Sequence, residues 1–374
     1  MPPNESDRDV DHSNNYNFPK VELHCHLDGC YRFSTIAELA KKRGIYLQKD
    51  ESELKKFITA QTRCNSLPHY LEKIYNATRT YAGDEDGIAR ITREAIEDKA
   101  ADGVVYLELR YAPHLFANCD VEPMVHAEER GRLRPKDVMD IVNKTVKECE
   151  NEYGIRVTTI LCALTPFEWG EETAKLCQEY ESHGVVGIDI AGPEGSEDFP
   201  LHCQRGFEFC RINGIHRTAH AGEVGPAGHV KKAIEQLHAE RIGHGYRMLE
   251  DDACYGIVKQ HRTHVEVCPM SSHFTTGAPE DWSKHPARRF HEDNINFSLS
   301  SDDPGVHLAS LIGDYDIATT MWGFTTQDLF KLNLNAARSC FLNEVERKQL
   351  VSDLKREYAN YNDIVVEYDS ITSS

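Results

Sequence analysis

At 374 residues the chain has room for one barrel-sized domain or two smaller ones. A net charge of −19 argues against nucleic acid as a partner, because phosphate binding needs basic surface. No apolar run approaches the length of a membrane span.

Residues 1–17 are polar and rich in Asn, Asp and Ser, without the basic start and apolar centre of a secretory signal. They read as a disordered leader on a cytoplasmic protein. The twelve cysteines are scattered with no Cys-x-x-Cys pair, so they read as reduced, mostly buried thiols rather than a disulfide framework.

The first strong element is Val21 to Leu27, a strand ended by the turn Asp28-Gly29. Alternation along a strand puts His24 and His26 on one face and Cys25 on the other. Two imidazoles so placed can converge on one metal ion, but two ligands alone do not make a zinc site. Thr35 and Glu38 then have capping-box spacing for a helix. Leu67, Tyr70, Leu71 and Ile74 follow the spacing of one helix face. This face reads either as a lid or as a helix packed on a wall. A helix over 88–99 leads to the strand 104–111, broken by Pro113.

From there strands and helices alternate. A helix begins near Pro135, which suits its first position, and is followed by a strand over 156–161. A helix over 171–182 precedes the strand 185–190, and a helix over 203–213 precedes the strand 215–220. A helix over 230–240 leads to the strand 241–245, and one over 252–259 leads to 264–268. A helix over 286–291 leads to the last strand, 295–301, and helices fill 308–358. Eight strands in one unbroken alternation favour an α/β fold, a closed (β/α)8 TIM barrel with extra helices, over an open doubly wound sheet. Residues 18–358 read as a single barrel domain and 359–374 as a C-terminal tail.

Four strand ends are polar: His24 and His26; His220-Ala221-Gly222-Glu223; Gly243-His244-Gly245; and Asp302-Asp303-Pro304. Each has a plain explanation alone, but barrel chemistry sits at the C-terminal ends of strands, and four coincidences are improbable.

These stretches, with Arg110-Tyr111-Ala112-Pro113-His114-Leu115 and Ser298-Leu299-Ser300-Ser301, are where the chain resembles the adenosine deaminase family of the metal-dependent amidohydrolase superfamily. The likeness runs over roughly 19–354. It implies that His24, His26, His220 and Asp302 hold one zinc ion per chain. It further implies that Glu223, His244 and Asp303 are catalytic, with Glu223 protonated to donate to purine N1 and Asp303 aiming the attacking water. His26, Asp28, Gly192 and Asp303 are implied as substrate contacts, Gly192 at purine N3 and Asp28 at the ribose 5′-hydroxyl. The implied reaction is hydrolytic deamination of adenosine and 2′-deoxyadenosine in purine salvage. The alternatives are deamination of other N6-substituted purines, or a silent binding relative. The chain departs from the family pattern at Cys25, at Cys30-Tyr31-Arg32 and at Ser301. The cytidine-deaminase type is excluded by the missing Cys-x-x-Cys.

Overall fold

The computed structural model describes residues 16–48, 50–195 and 198–361. Eight strands form one parallel sheet in chain order: β1 (Lys20–His26), β2 (Val104–Tyr111), β3 (Arg156–Leu164), β4 (Val185–Ala191), β5 (His216–Ala221), β6 (Arg241–His244), β7 (His264–Val267) and β8 (Phe297–Leu299). The seam between β8 and β1 is closed just beyond β8. The His26 N–H donates to the Asp302 carbonyl at 2.9 Å, and the Asp302 N–H donates to the His24 carbonyl at 3.1 Å. The result is the (β/α)8 barrel that the alternation predicts, with helices between successive strands.

The inside of this barrel is not the usual filling of branched aliphatics. Arg241 pairs with Glu108 at 2.6 Å and with Glu266 at 2.7 Å. Arg110 pairs with Glu266 at 2.8 Å and with Asp189 at 2.9 Å. All five side chains are essentially inaccessible to solvent. A buried charge is tolerable only when paired and hydrogen-bonded, and here each guanidinium bridges two carboxylates. Arg110→Met leaves two buried carboxylates short of their counter-charge. It is expected to cost about 3–5 kcal/mol of stability, measurable by denaturant unfolding.

The strand assignments match the sequence reading closely, and several helix limits shift. The capping box expected at Thr35 and Glu38 is not formed. The helix starts earlier, at Phe33, with Arg32 as its N-cap. Thr35 lies inside it, buried, and donates to Glu94 instead, while Glu38 pairs with Arg90. The helix expected over 230–240 spans Ala227–Glu235. Pro113 does not merely break β2: it opens a one-turn helix, Pro113–Phe116.

Of the leader and tail, residues 1–15 and 362–374 lie outside the described residues. Tyr16 is buried, edge-on to Tyr315, with its hydroxyl donating to Asp316 at 2.9 Å. All twelve cysteines are free, and all but Cys119 are buried. Among the described residues no helix is long and apolar enough to cross a membrane.

Candidate active site

The four polar strand ends meet at one mouth of the barrel. Their side chains line one pocket. His26, Asp28, Gly192, His220, Glu223, His244, Asp302 and Asp303 all line it. His24 lies just beneath, fully buried.

At the floor, the His26 Nε2 atom is 3.3 Å from His24 Nε2 and 3.2 Å from His220 Nε2. The Asp302 Oδ1 atom is 3.2 Å from His24 Nε2 and 3.4 Å from His26 Nε2. Donors about 2.0–2.1 Å from a tetrahedral zinc stand roughly 3.3 Å from one another, so these spacings fit such an ion. Ring protons point the same way. His24 Nδ1 is 2.7 Å from Glu266, and His220 Nδ1 is 3.0 Å from Asp189. A proton on each Nδ1 satisfies these carboxylates and leaves Nε2 as the atom facing the centre. Without a cation, burial lowers the basicity of the His220 imidazole but Asp189 raises it to about 9, so a bound ion would take the place of its Nε2 proton. Converging lone pairs and a carboxylate oxygen repel unless a cation lies among them. The residues present thus fit a divalent metal.

His244 Nε2 is 3.7 Å from Asp302 Oδ2 and 3.8 Å from Glu223 Oε2. His244 falls with His24, His220 and Asp302 in one group of potential metal donors, at the edge of the cluster. Asp189 likewise sits behind the cluster, occupied by Arg110 and by His220 Nδ1. Burial lowers the basicity of His244 to about 3 despite the raising effect of Asp302, which keeps its imidazole neutral.

Backbone geometry presents these groups. His244 (φ 67°) and Asp302 (φ 60°) both occupy left-handed conformations that residues with a Cβ rarely adopt. Strain of this kind persists where packing over-determines it, often at functional positions. Gly192 has φ +114°, and a Cβ there would come within 2.8 Å of Thr165 Oγ1, so only glycine brings the backbone to the pocket wall.

Glu223 is buried with no hydrogen-bond partner for Oε1. Burial, with the negative charges of Asp302 and Glu194, pushes its carboxyl up to about 8. Its loop is pinned by Glu194, whose Oε2 accepts from the Val224 N–H at 2.8 Å and the Gly225 N–H at 2.7 Å. Asp28, also with an unpartnered oxygen, is raised to about 6, chiefly by burial. Leu67, Tyr70, Leu71 and Ile74, the apolar face seen in the sequence, sit on the helix Leu67–Thr78 and line the pocket.

The sequence reading did not single out the layer behind the histidines. Arg110 was noted only as part of a motif, although its guanidinium braces both Asp189 and Glu266. Glu266 gives a signal in hindsight: a carboxylate between Val265 and Val267 in a buried strand needs a partner inside. Ser301 proves to be held from both sides. Its hydroxyl donates to Glu22 at 2.6 Å and accepts from Lys99 at 2.5 Å. Cys25 points away from the metal cluster as alternation requires, with its sulfur 3.0 Å from that of Cys30.

Known proteins resemble the chain over most of its length. The adenosine deaminase family model matches residues 19–357. Adenosine deaminase of Danio rerio is 42% identical over 91% of this chain and 95% of its own length. The enzyme of Bos taurus is 43% identical, covering 92% and 95%. Among solved structures, the Arabidopsis N6-mAMP deaminase MAPDA superposes with a TM-score of 0.77 at 26% identity, covering 91% of this chain and 98% of that one. Match length, identity and fold together show that the chain belongs to the adenosine deaminase family.

Proposed function

We propose that this protein is an adenosine deaminase that converts adenosine and 2′-deoxyadenosine to inosine and 2′-deoxyinosine with release of ammonia, using one zinc ion per chain. His24, His26, His220 and Asp302 would hold the ion, as three imidazoles and one carboxylate suit zinc. Bound there, zinc supplies the Lewis acidity that ionises a water near neutral pH.

The remaining work falls to the chain. Asp303 and His244 flank the floor of the pocket, where they orient the attacking water and take up its proton. Glu223 donates to purine N1, so that the ring accepts electrons as C6 becomes tetrahedral. The Gly192 N–H contacts purine N3, and Asp28 accepts from the ribose 5′-hydroxyl. The pocket helix Leu67–Thr78 covers the base and excludes water.

The observation that carries this reading is Glu223. Its carboxyl is buried with Oε1 unpartnered, burial raises it, and it lines the same pocket as the four converging donors, which is where a proton donor to the ring is needed. Loss of adenosine absorbance with stoichiometric ammonia release tests it.

Asp28 sets the choice between nucleoside and nucleotide. A carboxylate at the 5′ position repels a 5′-phosphate. Adenosine is therefore expected to exceed AMP in kcat/KM by about 10³-fold, the value of several kcal/mol for a like-charge contact in a buried site. A panel with adenosine, AMP and N6-methylated analogues measures this, and comparable kcat/KM for AMP would overturn the role given to Asp28.

A further inference from the structure

Tyr70 is the one polar-tipped residue on the otherwise apolar face Leu67, Tyr70, Leu71 and Ile74. Its hydroxyl does not point to water, since the residue is 1% exposed. It lies 3.0 Å from Asp303 Oδ2 and 2.5 Å from His307 Nε2. His307 ends the short helix Pro304–His307 that begins directly after Asp303, and its ring stacks on Phe274 at 5.3 Å. Three residues from two segments thus share one hydrogen-bonded chain.

The directions within that chain follow from counting protons. The Tyr70 O–H donates to Asp303 Oδ2, and a phenol has a single proton to give, so His307 donates from Nε2 to the Tyr70 oxygen. Asp303 is constrained on its other side as well. A Cβ on Gly29 would fall 1.9 Å from Asp303 Oδ1, so that oxygen lies directly against a glycine chosen for space. Oδ1 itself has no protein partner. One carboxylate oxygen accepts from Tyr70, and the other is buried against Gly29 without a hydrogen-bond partner.

We infer that Tyr70, aligned by His307, is a positioning residue for the deamination: from the helix that lines the pocket, it fixes the rotation of the Asp303 carboxylate. This rests on the role given to Asp303 in the proposed reaction. A carboxylate free to rotate about its last bond loses the orientation that the water needs, and misalignment of this kind lowers the rate of the chemical step without weakening ground-state binding.

The test uses the zinc-loaded full chain with Tyr70→Phe, His307→Leu and the double variant. Phenylalanine keeps the ring that lines the pocket and removes only the hydroxyl. Tyr70→Phe is expected to lower kcat about tenfold with KM, inosine affinity and zinc content within about twofold of wild type. His307→Leu is expected to lower kcat by about threefold to fivefold, and adding it to Tyr70→Phe to cost less than about twofold more, since both act through one hydroxyl. A Tyr70→Phe variant with wild-type kcat overturns the inference, as does a rise in KM with kcat intact, or fully additive losses. Should Tyr70→Phe melt at a much lower temperature, His307→Leu decides, because it leaves the pocket wall untouched: unchanged kcat there also overturns the inference. Wild-type turnover of adenosine is measured alongside, so that failure of the proposed reaction is seen separately from failure of this alignment role.

Discussion

Replacing Glu223 with glutamine is expected to lower kcat for adenosine by about 10²–10⁴-fold while leaving the bound metal in place. Glutamine fills the same volume and can still hydrogen-bond, but its amide cannot deliver a proton to the ring. The metal donors do not include Glu223, so metal content is expected to match wild type. The pH profile gives an independent reading of the same group. Glu223 works in its neutral form, so activity is retained while it is protonated and lost as pH rises through its pKa. Burial first, then the charges of Asp302 and Glu194, push it up to about 8 without a cation, and a cation draws it back, so the alkaline limb falls at or below that pH. Near-wild-type turnover by the glutamine variant would remove Glu223 from the mechanism.

His220→Ala is expected to abolish metal binding and activity together. His220 supplies one of four converging donors, 3.2 Å from His26 Nε2. Its removal leaves three donors and an open side where water competes. The ring also satisfies Asp189, whose carboxylate burial would otherwise neutralise but which His220 and Arg110 hold well below the usual range. The variant therefore loses part of the buried charge network as well, and its melting temperature is expected to fall. Metal analysis after gel filtration, read beside the activity, checks the pairing of the two losses. A variant that kept full metal and lost only activity would mean that His220 is not a ligand.

The fold was legible in the sequence because strand and helix alternate without a gap and each strand carries its own period. Strand 104–111 shows why: Leu107 and Leu109 oppose Tyr106, Glu108 and Arg110, so the apolar side faces helices and the polar side faces the barrel. The positions of His24, His26, His220, Glu223, His244, Asp302 and Asp303 were legible as polar strand ends. Their convergence on one pocket needed the barrel to close, and the closing contact pairs Asp302 with Cys25 of β1, far apart in sequence.

Two kinds of feature were not legible. Charges inside the barrel, such as Glu266 against Arg110 and Arg241, acquire meaning only when strands distant in sequence become neighbours. Local capping signals were misleading where tertiary contact offered a better partner: Thr35 has cap spacing but spends its hydroxyl on Glu94. Tyr70 adds a third: its helical spacing gave its face correctly but did not reveal what its hydroxyl does.

The central claim is that three histidines and an aspartate from β1, β5 and the end of β8 hold a metal that this pocket uses against adenosine. Metal analysis of the purified chain, run in parallel with an absorbance assay of adenosine loss, tests it most directly. The expected result is about one zinc per chain, with adenosine consumed, activity removed by chelation and restored by added zinc. A chain without stoichiometric metal that leaves adenosine unchanged even after zinc is supplied would contradict it.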